Sequence, residues 1–224
     1  MRRLQYRSHF IFRGKTHRAM RRNLKCIITD IGGVCISNAY ATMSETLKRR
    51  FGTDQSLAFG ILIGEAVAFD SGHVTVDEFS IRVLSRLGLK IDVGEFISIM
   101  DSSEVPNRDV WNLLQRVRAT GSARIIALSN MPEHTWNMLN RTYGLGTLFD
   151  GAVLSYAVGV VKPERRIFEM AIEASGTSAG NCLFVDDAPE NVAAAEKQCI
   201  VSHLFRDADC LAEFLKDNGV MSRG

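Results

Sequence analysis

The chain has 224 residues, 46% of them hydrophobic and 23% charged, with 18 glycines and four prolines scattered along it. Those proportions fit one globular domain, or one core domain with a modest insertion, and exclude collagen, coiled coil or disorder as the main state. No apolar run approaches the roughly 18 residues of a membrane span, so no membrane partner is expected.

The net charge of +2 conceals an asymmetry. Residues 1–25 carry nine Lys or Arg and no acid, which leaves 18 basic against 25 acidic residues, a net of −7, for the rest of the chain. A nucleic-acid partner is therefore not expected for the folded body. Residues 1–24 read as a basic extension of the fold, and three readings compete for it. Residues 1–19 are Arg-rich and acid-free, as in an organelle leader; they would also serve as an anion-binding arm; and Met20, directly before RRNLKCIITD, offers a shorter start. HFIF at 9–12 is too short for the apolar region of a secretory signal. The five cysteines, Cys26, Cys35, Cys182, Cys199 and Cys210, form an odd set without C-x-x-C spacing, which predicts reduced structural thiols in a cytoplasmic protein.

In chain order, CIIT at 26–29 reads as the first buried strand. From about 38 to 104 there is no convincing central strand, only amphipathic stretches such as Ala41 to Phe51 and Val76 to Leu87, the pattern of a helical insertion. A helix from Asn107 to Thr120, closed by Gly121, leads to a strand in ARIIAL at 123–128. AVLSYAV at 152–158 reads as the third strand, Pro163 to Ser175 as a helix closed by Gly176, and NCLFV at 181–185 as the fourth strand. A helix from Pro189 to Gln198, a strand in IVSHLF at 200–205 and a helix from Asp209 to Asn218 complete the alternation. The fold class expected is α/β, a doubly wound, Rossmann-like parallel sheet with a small all-helical cap inserted after the first strand. The core would span 25–37 and 105–224 and the cap 38–104. Such a cap sits over the carboxyl end of the first strand, where open α/β sheets bind ligands, as a lid would.

Each of the first, second and fourth apolar runs ends in polar residues: Asp30, Ser129 with Asn130, and Asp186 with Asp187. Lys162, in GVVKP, follows the third run. Any one of them alone is most simply a turn former or helix cap. Parallel strands, however, bring these ends side by side, so three carboxylates, a hydroxyl and an ammonium converge on one crevice.

The segments IITDIGGVCIS, IIALSN, GVVKPERRIF and LFVDDAPENVAAA resemble, in order, the four motifs of the haloacid dehalogenase (HAD) superfamily of phosphohydrolases, over about residues 25–206. The D-x-G-G-V variant is similar to the branch holding sugar-phosphate phosphatases and the phosphatase domain of bifunctional epoxide hydrolases. The resemblance implies a Mg²⁺-dependent phosphatase of a small phosphorylated metabolite, such as a sugar phosphate, in which positioning and charge neutralisation carry most of the catalysis. Asp30 would be the nucleophile, forming an aspartyl-phosphate. Asp30, Asp187 and the backbone carbonyl of Gly32 would ligate Mg²⁺, with Asp186 acting through water or as a helper carboxylate. Ser129, the backbone around Asn130, and Lys162 would hold the phosphoryl oxygens, while Asn191 would orient the acid pair.

One position departs from the family pattern. Most of these phosphatases carry a second Asp two residues after the nucleophile, to protonate the leaving oxygen and then activate water; here that residue is Gly32. General acid–base help is worth about 10²–10⁴ in rate, so turnover is expected to be slow, restricted to leaving groups stable as anions, or assisted from the cap. His73, in DSGHVT, is the cap residue considered for that part, although a lone loop histidine is more often merely exposed.

Two rivals remain on the same residues. A metal-independent 2-haloacid dehalogenase would use the same nucleophile but has no reason to keep the Asp186–Asp187 pair. A binding or regulatory protein that has lost turnover is supported by Gly32 alone, and the charges crowded into one crevice argue against it. Trp111 and Trp136 read as core or cap-interface aromatics and Arg165–Arg166 as a solvated face. Because the tail is basic, acid-free and ahead of the first strand, starting the chain at Met20 should leave melting temperature and oligomeric state unchanged. A fall of several degrees would show that the tail packs on the body.

Overall fold

The computed structural model describes residues 24–222, and the expectations for the tail, including the start at Met20, lie outside the described residues. The core opens with β1 (Cys26–Thr29). Four helices follow: α1 (Ala39–Phe51), α2 (Gln55–Asp70), α3 (Val76–Leu87) and α4 (Val93–Ser102). The chain then alternates through α5 (Arg108–Thr120), β2 (Arg124–Ser129), α6 (Glu133–Tyr143), β3 (Gly151–Leu154), α7 (Ser155–Val158), α8 (Arg165–Ser175), β4 (Cys182–Asp186), α9 (Pro189–Glu196), β5 (Val201–Leu204) and α10 (Ala208–Asp217).

All the strand pairs are parallel, in the order β3-β2-β1-β4-β5. Parallel neighbours need a crossover, and helices supply it on both faces of the sheet. Side chains alternate across the sheet as the period of a strand demands. Ile27, Ile125, Ala127, Leu183 and Val185 join one apolar cluster with Val110, Leu114 and Leu215. Cys26, Ile28, Ile126, Leu128 and Phe184 join a second with Ile167 and Phe168. Because β2 and β3 lie on one side of β1, and β4 and β5 on the other, the winding reverses between β1 and β4, and the crevice beyond their carboxyl ends is the topological switch point.

The inserted helices have a third apolar cluster of their own, including Met43, Leu47, Leu62, Phe79 and Phe96, with Phe69 stacked on Phe79 at 4.4 Å between ring centroids. Each starts on a side-chain cap: Asn38, Asp54, Thr75 and Asp92 accept from backbone N–H groups of the first turn, and Thr75 forms a reciprocal capping box with Glu78. The two segments that join this unit to the sheet are clipped together. Ser37 N–H donates to the Val105 carbonyl at 2.8 Å, Val105 N–H donates to Ser37 Oγ at 2.9 Å, and Ser37 Oγ donates to the Ser103 carbonyl at 2.6 Å.

The run AVLSYAV is not one strand. Only Gly151–Leu154 is extended, and Ser155–Val158 forms a single helical turn closed by Gly159, whose N–H donates to the Ser155 carbonyl. Ser155 is fully buried, and its hydroxyl accepts from Met131 N–H and donates to the Asp70 carbonyl, bonds that a strand continuing along the sheet would not make. The helix expected from Pro163 begins at Arg165, with Glu164 extended as its N-cap. Periodicity delimits neither α2 nor α4, and of α6 it marks only the surroundings of Trp136. In α2 apolar residues surround the whole circumference: Ile61 and Leu62 are buried, whereas Leu57, Ile63 and Val67 are exposed. Among the described residues no helix is long and apolar enough to cross a membrane, and all five cysteines are free thiols.

Trp111 on α5 ties the first strand's loop to the helical layer: its Nε1 donates to the Cys35 carbonyl at 2.7 Å, and the side chain is buried. Trp111→Ala should cost about 3–5 kcal/mol of stability. Trp111→Phe, which keeps most of the volume and loses the hydrogen bond, should cost about 0.5–1.5 kcal/mol. Denaturant unfolding separates the two; equal losses would mean that the hydrogen bond, not the packing, holds this corner.

Candidate active site

Three adjacent strand ends build the site. Asp30 follows β1, with its N–H donating to the Val185 carbonyl of β4 at 2.8 Å, and its Oδ1 accepts from Ile31 N–H at 2.7 Å. Asp186 closes β4 and is fully buried. Between the two lies the Lys162 ammonium, 2.9 Å from Asp30 Oδ1 and 2.7 Å from Asp186 Oδ2. Lys162 lies on the loop after α7, and the Asn130 side chain fixes its backbone: Asn130 Oδ1 accepts from Lys162 N–H at 2.7 Å and Asn130 Nδ2 donates to the Lys162 carbonyl at 3.0 Å. Asn191, on α9, donates through Nδ2 to both oxygens of Asp186, at 3.0 and 3.2 Å, and Ala188 N–H donates to Asp186 Oδ1 at 2.9 Å. Ser129, at the end of β2, is buried, and its hydroxyl reaches the Asn130 carbonyl only at 3.5 Å.

Carboxylate oxygens of Asp30, Asp186 and Asp187 all come within 4.8 Å of one another. The single ammonium does not balance them. Burial, with Asp186 and Asp187 adding to it and Lys162 opposing it, pushes the Asp30 carboxyl up to about 7. Burial and then Asp186 raise Asp187 as well. Burial works against the Lys162 ammonium, but Asp30 and Asp186 outweigh it and hold its pKa above the ordinary value. An all-oxygen, carboxylate-rich cluster with surplus negative charge fits a hard divalent cation such as Mg²⁺, which would return the carboxyls to their ionised form.

The backbone passes close beneath this cluster. Gly33 has φ +73°, and a Cβ there would stand 2.1 Å from Asp187 Oδ2, so neither conformation nor space admits a side chain. Gly32 is different: a Cβ there would meet nothing within 4 Å.

Beside Gly32 opens a cavity of about 150 Å³ between the sheet and the inserted helices. Its apolar walls come from Ile36, Phe69, Met100 and Met131, and its polar groups include Tyr40, Asp70, Glu104, Asn130 and Thr135. Tyr40 donates from its hydroxyl to Asp70 Oδ1 at 2.9 Å. Glu104 Oε2 is buried with no hydrogen-bond partner among the described residues. Burial, with Asp70 and Asp101 adding to it, pushes Glu104 up to about 8; burial also raises Asp70 to about 7, against the lowering influence of Tyr40 and Lys162.

Every residue expected at the site from the sequence thus lies around one crevice: Asp30, Gly32, Ser129, Asn130, Lys162, Asp186, Asp187 and Asn191. Asn191 touches Asp186 alone of the acid pair. His73 does not line the cavity; it is exposed, and its Nδ1 is engaged with Ser71 Oγ at 2.8 Å. Tyr40, Asp70 and Glu104 were missed. One signal was present for Glu104, an acid directly before Val105–Pro106 where the chain returns to the sheet. Trp136 is partly buried against the core, and Arg165 and Arg166 pair with Glu169 at the surface.

Residues 24–197 match the family model of haloacid dehalogenase-like hydrolases. The chain is 26% identical over 176 residues to a sesquiterpene phosphatase of Aspergillus oryzae, covering 77% of this chain and 85% of that one. It is 27% identical over 189 residues to a drimenol cyclase of Aspergillus calidoustus, covering 83% of this chain but only 35% of the cyclase. Among solved structures, a HAD family enzyme of Bacteroides thetaiotaomicron in complex with magnesium and inorganic phosphate shares the fold, with a TM-score of 0.65 at 20% identity, over 82% of this chain and 95% of that one.

The buried acids of the cavity set a pH dependence of stability. A carboxyl whose pKa is higher folded than unfolded makes the native state bind more protons, so stability falls as pH rises between the two values, by about 1.4 kcal/mol per pH unit for each group. Glu104 should therefore lower stability progressively from the ordinary carboxylate range up to about pH 8. Unfolding free energies measured between pH 5 and 8.5 should show the decline, and Glu104→Gln should reduce its slope, most clearly between pH 7 and 8. Equal slopes in the two proteins would place the Glu104 carboxyl in the ionised form throughout.

Proposed function

The chain belongs to the haloacid dehalogenase-like hydrolases, and from that premise we propose that it is a phosphatase acting on a small phosphorylated metabolite, with Asp30 as the nucleophile. The observation that carries this reading is the Lys162 ammonium between Asp30 and Asp186, with Asp187 alongside, at the strand ends beside the cavity that Gly32 and Asn130 line. The sesquiterpene phosphatase relative and the structural neighbour holding magnesium and phosphate support it.

On this reading Asp30, Asp187 and the Gly32 carbonyl would hold Mg²⁺, with Asp186 as a helper carboxylate, and the ion would supply charge neutralisation between the nucleophile and a bound phosphate. The chain's own residues do the rest. Both close contacts of Asp30 engage Oδ1, which leaves Oδ2 to attack phosphorus. Lys162 and the Ser129 hydroxyl hold the non-bridging oxygens, as does the backbone at Asn130, while the Asn130 side chain positions Lys162. Asn191 and the Ala188 N–H fix the rotamer of Asp186. The aspartyl-phosphate formed on Asp30 is then hydrolysed by water.

The cavity walls narrow the substrate class. Ile36, Phe69, Met100 and Met131 offer a hydrocarbon surface, and Tyr40, Asp70 and Glu104 a polar one. A leaving group with an apolar face and one or more hydroxyls suits them better than a uniformly charged one. A dehalogenase has no task for Asp187 or for the excess charge that it brings.

The test is hydrolysis of a panel of phosphate esters with Mg²⁺, with a chelator, and by Asp30→Asn. The parent should release phosphate only with the cation, and Asp30→Asn should lose at least about 10⁴ in kcat. Equal rates in parent and Asp30→Asn would overturn the assignment, and turnover surviving chelation would return the dehalogenase reading.

A further inference from the structure

Position 32 has no side chain to supply a proton, and Glu104 lines the same cavity. The space beside Gly32 where a side chain would project is empty of neighbours within 4 Å, and Gly32 and Glu104 line the same cavity of about 150 Å³. A leaving group seated beside Gly32 would share that cavity with the Glu104 side chain. Of the two acids there, Asp70 is engaged by the Tyr40 hydroxyl, whereas Glu104 keeps Oε2 unpartnered among the described residues although the residue is only 6% exposed. A buried carboxyl oxygen without a partner in the chain is costly and calls for a partner from outside it, a ligand or an ordered water. The backbone on both sides of Glu104 is pinned, because Ser37 bonds the Ser103 carbonyl and the Val105 N–H.

We infer that Glu104 is the catalytic acid–base residue of this site, protonating the leaving oxygen in place of the side chain that Gly32 lacks. The inference rests on the phosphatase reading. As Asp30 attacks phosphorus, the bond from phosphorus to the ester oxygen breaks and its electron pair stays on that oxygen. The Glu104 carboxyl transfers its proton there, and the product leaves as a neutral alcohol. The resulting Glu104 carboxylate takes a proton from the water that attacks the aspartyl-phosphate, which releases inorganic phosphate, frees Asp30 and restores the acid. Burial first, then Asp70 at the end of α2 and Asp101 on α4, raise Glu104; Asp101 in turn pairs with His134 at 2.8 Å, and Tyr40 on α1 is itself held well above its ordinary value by burial and by Asp70 and Glu104. An acid with its pKa near the working pH is suited to give a proton and recover it.

The experiment compares kcat/KM, which reports steps up to departure of the leaving group, across alkyl and aryl phosphates with Mg²⁺ present. The proteins are the parent, Glu104→Gln, Gly32→Asp and the double variant. Glu104→Gln should lose about 10²–10⁴ on alkyl esters and far less on aryl esters, whose leaving groups need no proton, so that its dependence on leaving-group pKa steepens. A Cβ at position 32 meets nothing within 4 Å, and the double variant should recover alkyl ester hydrolysis. A loss of the same size on every ester would reduce Glu104 to a structural residue and overturn the inference, as would no loss at all. A parent inactive on alkyl esters that gains activity only with Gly32→Asp would sink the role of Glu104 while leaving the phosphatase reading intact. Equal rates for Asp30→Asn and the parent would sink that reading itself. If Glu104→Gln does not fold, Glu104→Asp, which withdraws the acid by one methylene, carries the same comparison.

Discussion

A buried ammonium between two buried carboxylates is the constraint on which the rest of this molecule turns. Lys162 has 2% of its side chain exposed, Asp30 10% and Asp186 none. Removing such charges from water is expensive, and their mutual attraction offsets the cost only when the geometry is close and the remaining lone pairs are filled. Both conditions are met by structure drawn from far along the chain. β1 and β4 must be parallel neighbours for Asp30 and Asp186 to stand side by side, the turn after β3 must deliver Lys162 between them, and Asn130, from the end of β2, must lock that turn by a paired amide contact. The sheet order is thus also the wiring of the site.

Charge is distributed unequally along the crevice. At the sheet end three carboxylates face one ammonium, which leaves an excess of negative charge. At the cap end burial raises Asp70 to about 7 and Glu104 to about 8. Lys162 links the two ends, because it pairs with Asp30 and also lowers Asp70. The crevice thus sets a buried ion-pair cluster at the strand ends beside a cavity whose cap side carries acids with raised pKa values.

The sheet and its carboxyl-end residues were legible in the sequence because both obey short-range rules. Runs such as CIIT and CLFV are continuous and apolar, parallel strands put chemistry at one end, and Asp30, Lys162 and Asp186 each stand within a few residues of such a run. The family resemblance added roles that periodicity could not supply. What stayed hidden depends on packing between segments distant in sequence. Asp70 and Glu104 look like ordinary solvated acids until α2 and α4 close over them, and burial is the largest cause of their raised pKa values. The apolar circumference of α2 conceals its helical period, and the turn at Ser155 exists because its hydroxyl satisfies Met131 N–H and the Asp70 carbonyl, groups 24 and 85 residues away.

The adjacent glycines of the first loop have opposite physical grounds. Gly33 is required: its φ is positive, and any Cβ would collide with Asp187. Gly32 is not required by packing at its Cβ, which would meet nothing within 4 Å. The missing acid at position 32 is thus a chemical choice rather than a steric necessity, and the volume it leaves becomes part of the cavity. An Asp at that position would sit beside the carboxylate cluster, where a further negative charge raises the cost of an already anionic crevice. An acid on the cap side, held neutral by its surroundings, can serve the same proton transfer without adding to that charge, and it makes the transfer depend on the cap being closed over the substrate.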